Sequence, residues 1–299
     1  MLNLKKITMI GCIFFVSLGF TGCSGGSLDL NVNVDDNLIT TKQMTMQKVK
    51  TSTEELNIDQ TSAQGFEVAI NMGQVTIQSG DDEEVNIDVD YEVKGEDKET
   101  LADILDAVSI KYEEKKDDLI ISVVNKDTNE NIWDWIRDTY GNRNGVAPNL
   151  NVYLEITLPK QFNVFDIQNA MGEIDLENLT GSFHIDNAMG QTNLRSVKGE
   201  FQINNAMGKV AIKNVEFEGE SEIIVNMGDL ECSLSKTLEK SSDVKLEADM
   251  GNITINTNGL SYTSKESGDN FMGESKTILV QKLCSISTEV AMGNVSVRK

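Results

Sequence analysis

The sequence contains few of the residues from which enzyme and metal sites are commonly built. Among its 299 residues there are one histidine, two prolines and four cysteines, and aromatic residues make up 6%. A single histidine excludes sites of several histidines and argues against histidine-based acid–base catalysis. The 26 basic residues are outnumbered by 48 acidic ones, and a net charge of −22 repels nucleic-acid phosphates. We therefore expect no catalytic residue, no metal, no cofactor and no nucleic-acid partner.

The N-terminal residues have the features of an export signal. Within residues 1–22, Lys5 and Lys6 precede a short apolar run that is shorter than a comfortable membrane span. Residues 20–23 read FTGC, which resembles a bacterial lipobox with phenylalanine where leucine is commonest. The resemblance implies cleavage before Cys23 and lipidation of that residue, and an ordinary signal peptide is the alternative. We expect an extracytoplasmic protein anchored to the cell membrane by lipid at Cys23.

A polar segment follows the candidate lipid anchor. Loss of Lys5 and Lys6 with the leader leaves 24 basic and 48 acidic residues, and such a body is repelled by anionic lipid headgroups. A flexible tether would hold the protein away from the membrane. The expected divisions are a signal peptide (1–22), a tether (23–50), a region of strands, helix and cap (51–160) and β-solenoid repeats (161–299), with 51–299 forming one continuous domain.

The dipeptide Met-Gly recurs through the chain. Eight of the twelve methionines precede a glycine. From the second copy onward the pairs recur about every 20 residues, and a spacing so nearly constant indicates a repeat architecture. The copies are Met72-Gly73, Met171-Gly172, Met189-Gly190, Met207-Gly208, Met227-Gly228, Met250-Gly251, Met272-Gly273 and Met292-Gly293.

Hydrophobic alternation predicts short strands on both sides of each Met-Gly pair. Phe165, Ile167 and Asn169 share one parity with Met171, which predicts a half-buried strand whose methionine plugs the corner from inside. Beyond the glycine the buried parity shifts, which indicates a turn. With a second turn at glycines such as Gly181, each repeat has two strands and two bends. Stacked copies predict an all-β, single-stranded β-solenoid with Met-Gly corners, and a two-sheet sandwich is the alternative.

Two sets of inward positions carry polar or sulfur-containing side chains. Asn169, Asn187 and Asn205 occupy equivalent places in three repeats. They predict a structural ladder whose amides bond each other or the corner carbonyls. Cys232 and Cys284 also have inward parity, on opposite limbs and at least one repeat apart. Two buried thiols are favoured over the alternative, a disulfide.

The N-terminal half is less periodic. Strands are expected near residues 54–59, 66–72, 74–77, 85–93 and 151–158, with one short helix at 98–108 and a hairpin at 109–124. The segment 128–146 contains Trp133, Trp135 and Tyr140. It is either a cap over the open end of the solenoid or an exposed aromatic loop for surface contact.

A family resemblance follows from this order of elements. Strands, a helix, a hairpin, a strand ending in Leu158-Pro159-Lys160 and then glycine-cornered repeats resemble the bacterial "putative adhesin" family of unknown function. That family is related to the toastrack domains of envelope-stress proteins. The resemblance implies a single-stranded β-solenoid and supplies no catalytic residues.

The function expected from these features is non-catalytic. We expect a lipid-anchored, adhesin-like binding or scaffolding module with a protein or glycan partner at the cell envelope. The alternative is an accessory sensor of envelope stress that acts with a membrane signalling protein. A glycan-active enzyme is a third interpretation, and it would need two outward carboxylates in a groove.

Overall fold

The computed structural model describes residues 47–49, 53–59, 61–141, 148–235, 242–261, 263–267, 275–280 and 284–298. Seventeen strands and two helices lie within them. The N-terminal elements are β1 (Gln47–Val49), β2 (Thr53–Ile58), β3 (Gly65–Ser79), β4 (Val85–Gly95), α1 (Lys98–Ala107), β5 (Val108–Lys115), β6 (Asp118–Asn125), α2 (Ile132–Tyr140) and β7 (Asn149–Leu158).

Longer strands dominate the remainder of the chain, and several continue through a corner without interruption. They are β8 (Val164–Glu177), β9 (Thr180–Arg195), β10 (Lys198–Phe217), β11 (Gly219–Leu234), β12 (Ser242–Met250), β13 (Ile253–Asn256), β14 (Thr263–Ser267), β15 (Ser275–Val280), β16 (Cys284–Met292) and β17 (Val295–Arg298).

Each repeat forms one rung, and successive rungs pair in parallel. A rung has a first limb before its Met-Gly corner and a second limb after it. Strands β8, β9, β10 and β11 pair in this order along both limbs. The first limb continues through β12 and β16, while the second continues through β13 and β17. This stacking confirms the all-β solenoid.

The core is a set of columns in which similar side chains lie above one another. The rings of Phe165 and Phe183 stack with centroids 4.8 Å apart, and those of Phe183 and Phe201 are 5.0 Å apart. Phe217 closes this stack edge-on against Phe201. On the second limb, inward residues such as Ile174 are fully buried. Each rung therefore buries its inner face against its neighbours.

Every regular rung has a third bend that the sequence analysis missed. Asn178, Ser196 and Asn214 adopt φ angles of 57°, 53° and 57°. The residue after each of them is Leu179, Val197 or Val215, and these side chains are at most 3% exposed. The prediction of two bends per repeat is therefore wrong. A short third side closes the core between the second limb and the next first limb.

The first rung is β3, although a long stretch of sequence separates it from the second rung. β3 pairs with β8 from Gly65↔Val164 to Gln78↔Glu177, so that Met72 lies against Met171. The other edge of β3 pairs with β6 on the first limb and with β7 on the second. The chain between β3 and β8 is thus an insertion that seals this end of the solenoid.

The insertion contains both helices, where the sequence analysis predicted one. The helix predicted at 98–108 is α1, and the side chain of Asp97 caps it by accepting a bond from the amide of Thr100. The second helix, α2, begins after Asn131, whose side chain accepts bonds from two amides of the first turn. Its buried Ile132 and Ile136 are four positions apart, which places both on one helical face.

Candidate functional site

The methionines of the corners project outward. Met171, Met189, Met207, Met227 and Met250 are 42, 43, 43, 38 and 42% exposed, and Met292 is 58% exposed. The prediction that they plug the corner from inside is therefore wrong. The alternation that buries Asn169 stops there, because the chain turns at the glycine and the two preceding residues stay outside.

Each corner requires glycine for two reasons. Gly190 has a φ angle of 139°, a region that residues with a side chain rarely adopt. A Cβ atom on Gly190 would lie 1.8 Å from the carbonyl oxygen of Gly172 in the preceding rung. The same approach recurs at Gly208 against Gly190. The corner glycines therefore stack in direct backbone contact.

The three ladder asparagines lie beneath this column of glycines. Asn169, Asn187 and Asn205 are 2, 1 and 1% exposed. The Nδ2 group of Asn187 donates to the carbonyl of Gly172 at 3.4 Å and to that of Gln191 at 3.0 Å. Asn169 and Asn205 likewise donate to the corner carbonyl of the preceding rung. The asparagine amides thus satisfy buried corner carbonyls, as a structural ladder would.

Hydrogen bonds between rungs fix the side chains on the outer face of the first limb. His184 lies between Asp166 at 3.4 Å and Asp186 at 3.6 Å. Asn204 donates to Asp186 at 3.0 Å across to the next rung. This surface, formed by outward residues of the first limbs, is called the first outer face below.

Further along the first outer face, a lysine joins two rungs. Lys245 contacts Glu247 at 2.6 Å on its own strand and Glu222 at 3.0 Å on the preceding rung. Hydrogen bonds to Glu247, and then to Glu222, raise the pKa of Lys245 well above its usual range. Lys245 therefore joins two neighbouring rungs through its two carboxylate partners.

The second limbs carry a pair of carboxylates in a shallow hollow of about 340 Å³. Asn193 donates to Glu173 at 2.6 Å and to Asp175 at 3.0 Å, and Gln74 donates to Asp175 at 2.8 Å. Partial burial raises the pKa of Glu173, and the charge of Asp175 raises it further. The sequence analysis missed this group. The sequence does contain a feature that predicts this group: the constant repeat length places Asn193 beside Asp175 of the preceding rung.

The three aromatic residues proposed for surface contact lie on α2. Trp133, Trp135 and Tyr140 are half-buried and pack against the core. The indole Nε1 of Trp133 donates to the carbonyl of Leu150 at 3.0 Å. The rings of Trp135 and Tyr140 meet edge to face at 5.6 Å. This packing favours the cap over an exposed loop, and a binding role for these residues stays a prediction.

Some predicted sites fall outside the described residues. These are the lipidation site Cys23 and the corner Met272-Gly273. Cys232 is buried on the second limb beside Ile255, whereas Cys284 begins β16 on the first limb beside Ser242. Within the described part of the chain, no three His, Cys, Asp or Glu side chains form a metal-binding group. No helix of that part is long and apolar enough to cross a membrane.

Comparison with known families decides the affiliation of the chain. A family model described as Toastrack DUF4097 matches residues 66–270. The chain belongs to this family. The match begins at Phe66 in the first rung and ends before β15, so it covers the insertion and every described rung except that of β16 and β17. The resemblance predicted from the glycine-cornered repeats is thereby confirmed.

Two solved structures are similar to this Toastrack chain at low identity. One is a "putative adhesin" from Bacteroides fragilis NCTC 9343, with 14% identity over 82% of this chain and 97% of that chain, and a TM-score of 0.36. The other is a "putative cell adhesion protein" from Clostridium sporogenes ATCC 15579, with 13% identity over 83% and 99%, and a TM-score of 0.32. No curated protein matches the Toastrack chain.

Proposed function

We propose that this Toastrack protein is a non-catalytic, adhesin-like binding or scaffolding module of the cell envelope. One observation carries the proposal: outward side chains of successive rungs bond one another. His184, Asn204 and Lys245 each contact a carboxylate of the preceding rung, and these contacts order the first outer face. A surface ordered in advance loses little side-chain entropy when it binds. An extended protein or glycan partner fits such a flat, repetitive surface.

The carboxylates on the second limbs support binding rather than cleavage. A glycosidase needs one carboxyl to protonate the leaving group and another to act as base or nucleophile. Glu173 and Asp175 instead share one amide donor, Asn193. This shared bond orients both carboxylates toward the same neutral group. The hollow therefore resembles the other inter-rung contacts of the outer faces.

A photo-crosslinking amino acid on the first outer face would test the proposal. It replaces Gln202, an exposed residue in the middle of the rungs, in cells that produce the full chain. We expect one specific adduct from this position and none from the matched control at Tyr112, which is 47% exposed in the insertion. Absence of an adduct from position 202 and from Glu231 on the second limb would contradict the proposal. An integral membrane signalling protein in the adduct would favour the sensor alternative.

We further propose that lipid at Cys23 anchors the module outside the cytoplasm. A lipobox-like sequence ends at this residue, and the acidic body with its polar tether suits a protein held away from the bilayer. In cells fed labelled palmitate, Cys23→Ala should lose the label and leave the membrane fraction. Cys12→Ala, inside the leader, is the matched control and should keep both. Retention of the label by Cys23→Ala would exclude this anchor.

A further inference from the structure

Methionines form a continuous column along the corners, and all of them except the half-buried Met72 are exposed. Paired positions place Met72 against Met171 and align the later methionines rung by rung. The same register continues into β12 and β16. The methionine column defined in this way consists of Met72, Met171, Met189, Met207, Met227, Met250 and Met292.

The column holds methionine in every described rung, although the positions around it vary. The position two residues after the corner glycine carries Ile174, Thr192, Val210 and Leu230 in successive rungs. Exchange between aliphatic residues and threonine is thus tolerated at this buried position. At the exposed methionine position, leucine or isoleucine would supply the same apolar surface. The property that methionine alone supplies there is its thioether sulfur.

The spacing of the rungs suits a shared ligand. Neighbouring strands lie about 4.8 Å apart. Zinc–thiolate bonds are about 2.3 Å long, and two metal–sulfur bonds of similar length on opposite sides of one ion span about 4.6 Å. A methionine side chain has three rotatable bonds and adapts to small differences. Each methionine lies before a glycine, and in β8, β9 and β10 it follows the exposed Ala170, Ala188 or Ala206, so small residues flank the sulfurs and leave them accessible.

We propose that the methionine column binds soft monovalent cations, Cu(I) or Ag(I), between the sulfurs of adjacent rungs. Thioethers are soft ligands that favour such ions over the hard cations Ca²⁺ and Mg²⁺. The net charge of −22 attracts cations to the surface. The site is separate from the first outer face, so it can succeed or fail independently of the proposed partner binding.

Silver ion is the probe, because it stays monovalent in air. The full chain carries Cys12→Ser, Cys23→Ser, Cys232→Ala and Cys284→Ser to remove competing thiols, and its methionine methyl groups are labelled with ¹³C. Added Ag(I) should shift the methyl resonances of the column and leave those of Met44 and Met46 unchanged. Circular dichroism establishes that this background is folded.

Leucine variants assign the binding to the column. The triple variant Met189→Leu, Met207→Leu and Met227→Leu should lose most of the bound Ag(I), because four of the six neighbouring methionine pairs of the column contain one of these residues. The variant Met44→Leu and Met46→Leu is the matched control and should bind as the background does. An unchanged number of bound Ag(I) ions per chain in the triple variant would overturn the proposal. Equal methyl shifts at Met44 and Met46 would also overturn it, since they show binding to thioethers outside the column.

Discussion

The rungs and the insertion between β3 and β8 both consist mainly of β-strands, but the sequence encodes the contacts between their strands in different ways. In the rungs, a residue contacts its equivalent in the next copy, as Phe183 does with Phe165 and Phe201. In the insertion, β4 pairs antiparallel with β7, joining Asn86 to Thr157 across unrelated sequence. A repeating contact can be derived from a repeat in the sequence, whereas a unique contact has no such signal. Four substitutions test this difference, from the largest expected effect to the smallest.

The largest effect on stability should come from adding a side chain at the corner glycine of a rung. Gly190→Ala places a Cβ atom 1.8 Å from the carbonyl oxygen of Gly172 at a φ of 139°. Because two backbones must separate, we expect a loss of about 4 kcal/mol or more in the free energy of unfolding. Urea titration measures it. Gly259→Ala is the control, since Gly259 has a φ of 83° and no atom within 4 Å of its added Cβ. Equal losses of stability in the two variants would show that the positive φ angle alone, and not the close contact with Gly172, accounts for the cost at Gly190.

Removing a ring from the stack should have the next largest effect and should stay local. Phe183→Ala leaves a cavity between Phe165 and Phe201, at a cost of about 3–4 kcal/mol. Because rungs contact only their neighbours, hydrogen exchange should accelerate in β8, β9 and β10 more than in β4 and β7. The control, Leu101→Ala in α1, should accelerate exchange in the insertion instead. Uniform acceleration by both variants would show that rungs and insertion unfold as one cooperative unit.

The ladder asparagines should contribute less than the aromatic stack. Asn187→Val removes the donor to the carbonyls of Gly172 and Gln191, which should cost about 1–2 kcal/mol in thermal or urea unfolding. Asn204→Val on the exposed first outer face should change stability by less than about 0.5 kcal/mol. If the two losses are equal, the buried amide does not stabilise the corner.

The smallest effect concerns the outer surface and depends on pH. The pKa of Glu173 is raised, so ionisation costs folding free energy as pH rises through its folded pKa. Glu173→Gln removes that cost, and its Tm at pH 7 should exceed that of wild type by about 1 °C, since the carboxyl is largely solvated. The difference should vanish below the ordinary glutamate pKa of 4.5. A difference that persists at low pH would assign the effect to packing.

The repeated half could be predicted from sequence because burial has a fixed period there. Alternation of Phe165, Ile167 and Asn169 was enough to define the inner face, and the recurrence of glycine defined the corner. The third bend was missed, although Asn178, Ser196 and Asn214 recur at equal intervals along the chain. Polar residues of different types obscured that period, and only their positive φ angles reveal it.

The orientation of Met171 could not be derived from parity. The alternation of buried and exposed side chains holds only along a straight stretch of strand. At the corner it already ends two residues before the glycine, because Ala170 and Met171 are both exposed. The second helix did have a signal, since Asn131 precedes apolar residues at Ile132 and Ile136 with helical spacing. Its position against Leu150 depends on a contact between separate segments. No periodic feature of the sequence encodes that contact.

The equivalence of successive rungs makes the length of the molecule adjustable. Strands β9 and β10 are related by one repeat, and each presents to its neighbour the same glycine corner and asparagine amide. A duplicated copy of that repeat would find matching surfaces above and below it. Each added copy would extend the array by about 4.8 Å. Gene duplication would thus lengthen the outer faces without redesigning any interface.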